Sequence, residues 1–254
     1  MSSEQIQLKV MSFNIAAGNK LDGTLDLELT ATTIEKSGAD IIGLQEVDRN
    51  FSRRSNFMDQ AKWLGQKLNM HVSYGLNLTE QPEELERPKR AFGNVTLSKY
   101  PITGDKNYDL ASVEVEGKDN EPRGLLETVI DVGGSQIAFY NTHLSLKEQE
   151  VKVNIEEMLR VIGAQKLPVL IVGDFNQEPD SESIQTLEQR FPFVFGDLEN
   201  QPSTYKKSED HGHGKKIDYI FHDDNWEVEK AVVIDTEASD HFPVVAELIL
   251  FTKS

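Results

Sequence analysis

Five apolar runs in this chain end in residues that can do chemistry: Met11-Ser-Phe-Asn14, Leu44-Gln-Glu46, Tyr140-Asn-Thr-His143, Val172-Gly-Asp-Phe-Asn176 and Ser239-Asp-His241. A further acid, Asp218, sits inside Lys216-Ile-Asp-Tyr-Ile220. Together they supply carboxylates, side-chain amides and two imidazoles. The chain has 0 cysteines, so disulfides, thiolate metal sites and cysteine nucleophiles are excluded. An oxygen-rich set with imidazole and no thiol suits Mg²⁺ or Mn²⁺ better than zinc.

Each piece also has a plainer structural account. Asn14 could cap a strand end. Glu46, an acid ending a buried run, needs either a cation or a salt bridge, for which Arg49 is the near candidate. Asn141 to His143 and Asp174 to Asn176 could be turns in which the polar side chain bonds its own backbone. Asp218 on an apolar strand calls for a buried partner, naturally a histidine. Ser239-Asp-His-Phe-Pro243 reads equally as a turn before the last strand. His71, His211, His213 and His222 read as strand or loop residues.

The elements that would position these groups follow from periodicity. Short runs rich in Val, Ile, Leu and aromatics predict strands at Gln7–Ile15, Asp40–Val47, His71–Leu76, Asn94–Ser98, Leu125–Val132, Gln136–Thr142, Val169–Gly173, Lys216–His222 and Val244–Leu250. Helices fit at about 25–37, 57–69, 145–165 and 181–190, with Gly38 closing the first and Ser145-Leu-Lys-Glu148 as a capping box for the third. Val132-Gly-Gly-Ser135 reads as a tight hairpin turn. No repeat, linker or low-complexity tract divides the chain. The expectation is one domain over residues 1–254, with 1–5 a flexible tail, built as a layered α/β sandwich of mixed sheets flanked by helices.

Composition sets limits. In 254 residues, 26 Lys+Arg against 43 Asp+Glu give a net charge of −17. That balance disfavours a protein holding nucleic acid by general phosphate attraction, although a local basic groove remains compatible with it. No apolar stretch approaches the length of a membrane-spanning helix. The N-terminus lacks a secretory signal pattern, and the reading is cytoplasmic.

The pieces MSFNI, LQEV, FGNVTLSKYPI, RGLLET, NTHL, GDFN, IDYIF and SDHFPV, in that order from Asn14 to His241, resemble the endonuclease/exonuclease/phosphatase superfamily of metal-dependent phosphohydrolases. The resemblance implies a deoxyribonuclease I-like, four-layered α/β sandwich (α+β), with two mixed β-sheets packed face to face and helices outside. It places Asn14 and Glu46 at metal-ligand positions and Asp240 near the metal, Mg²⁺ with Mn²⁺ as the plausible alternative. Asp174 falls where the attacking water is activated, with Asn176 beside it. His241 falls at the phosphoryl oxygen with Asp218 as its carboxylate partner, and His143 follows the deoxyribonuclease and sphingomyelinase branches. Arg123, Asn94, Tyr140 and Asn141 lie in family motifs as candidate support or substrate contacts.

The family leaves the substrate open. Loops 78–92 and 203–216 are long and charged, so Arg87, Lys89, Arg90 and the Lys206/Lys207 pair are candidates to steer an anionic substrate. The segment DRNFSRRS after LQEV, with the DQA helix that follows, most resembles bacterial members described as metal-dependent hydrolases. The expected activity is hydrolysis of a phosphodiester or phosphomonoester. A nuclease is the rival enzyme, and a catalytically silent module holding a phosphorylated ligand is the rival from another class. Neither membrane insertion nor an obligate protein partner is indicated.

Overall fold

Parallel neighbouring strands need a crossover long enough to carry a helix, and the chain has two such units. In the computed structural model, which describes residues 5–82, 87–114, 120–196, 202–206 and 214–251, β1 (Gln5–Asn14) reaches its parallel neighbour β2 (Ile41–Arg49) through α1 (Leu27–Ser37). Likewise β7 (Ser135–His143) reaches its parallel neighbour β8 (Val169–Asp174) through α3 (Glu148–Gly163). The other strands pair antiparallel: β3 (His71–Glu80), β4 (Arg90–Ser98), β5 (Ile102–Asp109), β6 (Gly124–Val132), β9 (Asp218–His222), β10 (Trp226–Val233) and β11 (Val244–Phe251). Two shorter helices, α2 (Gln60–Leu68) and α4 (Glu182–Glu188), complete the described elements.

The strands form two mixed sheets. One has six strands in the order β10-β11-β1-β2-β4-β3, and the other five in the order β5-β6-β7-β8-β9. Alternation along β1 shows how the layers stack, because successive side chains leave opposite faces. Leu8 and Val10 belong to the core shared with β6 to β9, whereas Met11, Phe13 and Ile15 pack with Leu27 and Ile34 of α1 and with Ala61 and Leu64 of α2. On the far side, Val151, Ile155, Met158 and Ile162 of α3 join the first core. This is the expected deoxyribonuclease I-like sandwich, with helices outside two facing sheets.

Toward one end, the space between the sheets turns polar. Asn141 on β7 donates to the carbonyls of Leu44 (3.0 Å) and Val95 (2.9 Å) in the opposite sheet, and its oxygen accepts from Gln45 at 2.7 Å. Thr128 donates to Thr96 across the same gap at 2.9 Å. Gly43 makes room for this seam, since a Cβ there would lie 2.3 Å from Val172 Cγ2 and 3.1 Å from Asn141 Cγ.

Several local expectations are corrected. The strands β5 and β10 escape the apolar-run criterion for different reasons: β5 is a sheet edge of largely polar residues, and in the edge strand β10 the charges Glu227, Glu229 and Lys230 and a register shift between Val228 and Lys230 interrupt the apolar residues. Helix α3 starts at Glu148 with Lys147 as its N-cap, not at the Ser145 capping box. Ser145 Oγ instead accepts from Lys147 N at 3.2 Å. Lys147 is itself buried, its Nζ on Glu150 (3.1 Å) and the Val113 carbonyl (3.0 Å), which fixes the helix entry. Helix α2 begins at Gln60, capped by Asp59, so Phe57 lies outside it. Of the expected tail, residues 1–4 lie outside the described residues, and Gln5 already pairs with Phe251. The hairpin at Gly133 and Gly134 is as expected, with φ of 66° and 95° as a mirror-type turn requires.

Candidate active site

The C-terminal ends of both parallel pairs point to one cleft of about 630 Å³. Register alone brings three groups side by side, because His143 on β7 lies opposite Asp174 on β8, and Asp174 opposite Asp218 on β9. From the other sheet, Asn14 ends β1 next to Gln45 of β2. The pairing of β2 with β4 skips between Leu44 and Val47, and Glu46 in that bulge has φ of 56°. A bulge re-aims one side chain, and here it turns Glu46 into the cleft.

The last contributor is the turn before β11. Ser239 Oγ donates to the Asn14 carbonyl at 2.8 Å and accepts from His241 N at 3.1 Å. The turn reading and the site reading of this motif are therefore one structure. His241 Nδ1 meets Asp218 Oδ2 at 2.9 Å, the buried partner that Asp218 required. Tyr205 covers the other side, its ring centroid 4.7 Å from that of His241.

Asp174 is the hub. Its Oδ1 accepts from Asn176 N at 2.9 Å, and its Oδ2 accepts from Asn14 Nδ2 at 3.0 Å. The same Oδ2 lies 3.5 Å from His143 Nε2 and 3.7 Å from His241 Nε2. Burial, reinforced by the Asp218 charge and opposed by His241, pushes its carboxyl up to about 7. For His241, burial works against the charged ring, but Asp218 and then Asp174 outweigh it and raise the ring to about 10. His143 goes the other way. Its burial, with Arg123 and His241 nearby, holds it well below the ordinary histidine value, so it is neutral. Asn176 Nδ2, already donating to the Leu144 carbonyl at 2.9 Å, is 3.0 Å from His143 Nε2.

The donor set at Glu46 fits a hard divalent cation. Glu46, Asp240 and Glu121 share the cleft. Burial pushes the Glu46 carboxyl up, with Asp240 and Glu121 adding to the shift while Asn14 and His241 oppose it. Carboxylates crowded in this way are relieved by positive charge. Asn14 sits between the two acids: its oxygen accepts from Ala16 N at 3.0 Å, and its Nδ2 donates to Glu46 Oε1 and Asp174 Oδ2, each at 3.0 Å. Asp174, Asp218 and His241 also offer ligand atoms within 4.8 Å of one another. In this group His241 Nδ1 faces Asp218 Oδ2 at 2.9 Å, leaving Nε2 as its cleft-facing nitrogen.

Other expected substrate contacts fall elsewhere. Tyr140 is buried and donates to Glu127 Oε1 at 2.9 Å, away from the cleft, and Asn141 is the inter-sheet clamp. Asn94 is buried and reaches the Gly124 carbonyl at 3.3 Å. Arg87 lies over the Phe57 ring at 4.0 Å, and Arg90 pairs with Glu80 at 2.8 Å and donates to the Phe51 carbonyl. Neither arginine lines the cleft, and Arg49 pairs with Asp59 (3.2 Å) rather than with Glu46. Arg123 does line it, paired with Glu121 at 2.9 Å. Lys207, His211 and His213 lie outside the described residues.

Sequence reasoning missed Phe51, Arg54, Phe92, Glu121, Leu146, Tyr205 and Lys215 on the cleft walls. One signal for Arg54 was available, since Asp48 on a buried strand needs a cation. Arg54 holds it with Nε–Oδ2 of 2.9 Å and Nη2–Oδ1 of 2.7 Å.

The chain belongs to the Endonuclease/Exonuclease/phosphatase family, whose model matches residues 11–241. Members of this family are typically phosphoester hydrolases and generally depend on a divalent metal. An endonuclease/exonuclease/phosphatase from Beutenbergia cavernae is 25% identical with a TM-score of 0.80, covering 96% of this chain and 72% of its own. A mannosyl-6-phosphatase from Bacteroides thetaiotaomicron shares the fold at 18% identity and a TM-score of 0.66, covering 95% of this chain and 99% of its own. Sphingomyelinase C from Streptomyces griseocarneus does so at 15% identity and a TM-score of 0.66, covering 95% of this chain. No curated protein matches the chain. No helix among the described residues is long and apolar enough to cross a membrane.

Proposed function

We propose that this chain is a divalent-metal-dependent phosphoesterase that hydrolyses a phosphodiester or phosphomonoester through a water activated by Asp174. The observation that carries the reading is the buried Asp174 carboxylate, held on both oxygens by amide donors, with protonated His241 at 3.7 Å and Glu46 on the same cleft floor. Glu46, with Asp240 facing the same space, would hold Mg²⁺ or Mn²⁺, which supplies charge neutralisation at a phosphoryl oxygen.

A carboxyl near 7 is matched to taking a proton from water at neutral pH. Asn14 and the Asn176 amide fix both of its oxygens, so its lone pairs are aimed before substrate arrives. Asp218 keeps His241 charged and fixes which nitrogen faces Asp174, leaving Nε2–H to donate to a phosphoryl oxygen. Neutral His143, backed by Asn176, contributes a hydrogen-bonding ring beside these oxygens instead of a second cation.

The test is hydrolysis of a panel of phosphodiesters, phosphomonoesters, DNA, RNA, inositol phosphates and sphingomyelin with Mg²⁺, Mn²⁺ or chelator. Chelator-sensitive turnover lost in Asp174→Asn is expected, and the fastest substrate separates a small-phosphoester hydrolase from a nuclease. Binding of a phosphorylated ligand without turnover by the folded protein would replace this reading with a binding module.

A further inference from the structure

The loop joining β2 to α2 is held in an unusual conformation by contacts from neighbouring segments, and one of its side chains faces the cleft. Three non-glycine residues in it have left-handed backbone: Asn50 (φ 54°), Asn56 (φ 51°) and Phe57 (φ 53°). Such a conformation is unusual for a bulky side chain like Phe57 and persists only where surrounding contacts impose it. Those contacts are identifiable. Arg87 lies 4.0 Å over Phe57, Arg90 lies 4.7 Å over Phe51 and donates to its carbonyl, and Ser52 caps the short turn Arg53–Ser55. The arginines expected to touch substrate instead brace this loop.

What the bracing presents is Arg54. Its guanidinium is gripped edge-on by Asp48 and flanked by the rings of Phe51 and Phe92, 5.0 Å and 5.3 Å from their centroids. Asp48 has 0% of its side chain exposed while Arg54 has 44%, and Arg54 but not Asp48 lines the cleft. The hydrogen-bonded counter-ion therefore stands behind the guanidinium, while Glu46 and Glu121 act on it from the cleft only through space. Nη1 and the second N–H of Nη2 have no partner among the described residues. Arg123, the other cleft arginine, differs in that its counter-ion Glu121 stands in the cleft itself. A planar guanidinium fixed by its Nε edge keeps its remaining donors pre-organised for a second oxyanion.

We infer that Arg54 is a specificity-determining residue that binds an oxyanion on the substrate other than the reacting phosphoryl group. The preferred substrates then carry a second phosphate or a carboxylate within the reach of one cleft of about 630 Å³. This rests on the phosphoesterase reading for which group reacts, but not for what Arg54 binds. Lysine cannot replace it, because a single ammonium cannot both grip Asp48 bidentately and face the cleft.

The experiment compares aryl phosphoesters that share one leaving group and carry no second charge, a carboxylate or a second phosphate. Wild type is expected to prefer a charged ester by roughly tenfold or more in kcat/KM, a typical contribution of a charge-assisted pair. The better of the two identifies the oxyanion. In Arg54→Lys, and in the double variant Asp48→Asn/Arg54→Gln, which leaves no unpaired buried charge, that ratio falls toward unity, with the loss mainly in KM. A parallel arm with chelator present measures the melting shift given by inorganic pyrophosphate and by malonate, which requires no turnover. Stabilisation of wild type that both variants lose supports the inference even if no ester is hydrolysed, an outcome that would count against the phosphoesterase reading alone. A wild type without preference or melting shift, or folded variants that retain them, overturns it.

Discussion

Replacing Asp218 by Asn removes the carboxylate that keeps His241 charged while leaving the side-chain shape nearly unchanged. In the native site, burial disfavours the imidazolium, and Asp218 at 2.9 Å with Asp174 beyond it raises the ring to about 10 all the same. Without the Asp218 charge the largest raising influence is gone while burial remains, so the ring falls from about 10 toward its ordinary value of about 6.5, with Asp174 and Asp240 still opposing burial. A ring at the ordinary value is protonated at pH 8 in about one part in 30, so the rate falls by up to roughly 30-fold if the imidazolium is the donor. At pH 6 the loss shrinks, because most rings are protonated again. The same substitution relieves Asp174, whose carboxyl the Asp218 charge also raises, so the acid limb of the profile moves to lower pH with the alkaline limb. The assay is kcat/KM against pH for Asp218→Asn and wild type on the fastest panel substrate, with the His241 ring followed by NMR in metal-free protein. A loss uniform across pH, or an unmoved His241 titration, refutes the reasoning.

Three further outcomes are expected. The Asp174 carboxyl is raised from 3.8 to about 7 in the folded protein, so the fold loses stability as pH climbs through that window. In chelator, Asp174→Asn should therefore gain about 2–4 kcal/mol over wild type at pH 8 and little at pH 4; a pH-independent difference in Tm would contradict this. Asn141→Leu removes the donors to the Leu44 and Val95 carbonyls and one acceptor of the Gln45 amide, which keeps Gly43 and Ser12, and should cost on the order of 2–4 kcal/mol in urea unfolding. Glu46→Gln should weaken Mn²⁺ binding by roughly tenfold or more in calorimetry while Tm in chelator holds or rises, because a crowded buried carboxylate is removed.

Much of the site was legible before any coordinates, for a local reason. A polar residue directly after a buried apolar run lies at a strand end, and strand ends in layered sheets converge. That logic placed Glu46, His143, Asp174, Asn176, Asp240 and His241 on one cleft, and the need of a buried acid for a partner paired Asp218 with a histidine. The regular helices and the central strands were equally legible, since their apolar periodicity is continuous. The edge strands β5 and β10 were not, because an exposed edge tolerates polar residues in β5 and charges and a bulge break the apolar alternation of β10.

Sequence by itself determined the family, the two-sheet sandwich and the set of acids, amides and imidazoles available for chemistry. Only the tertiary structure decided what each one does. Asn14 aims its amide nitrogen at Glu46 and Asp174 because its oxygen accepts from Ala16 N, and Asn141 became a clamp because the opposite sheet presents two carbonyls to it. His143 is neutral and His241 cationic, although both are buried imidazoles near Asp174, because only His241 has a carboxylate on its second nitrogen. The placements of Arg54, Arg87 and Arg90 were likewise set by which partner each reaches across the fold. Charge state and hydrogen-bond direction depend on neighbours remote in sequence, and those neighbours exist only once the two sheets have closed on each other.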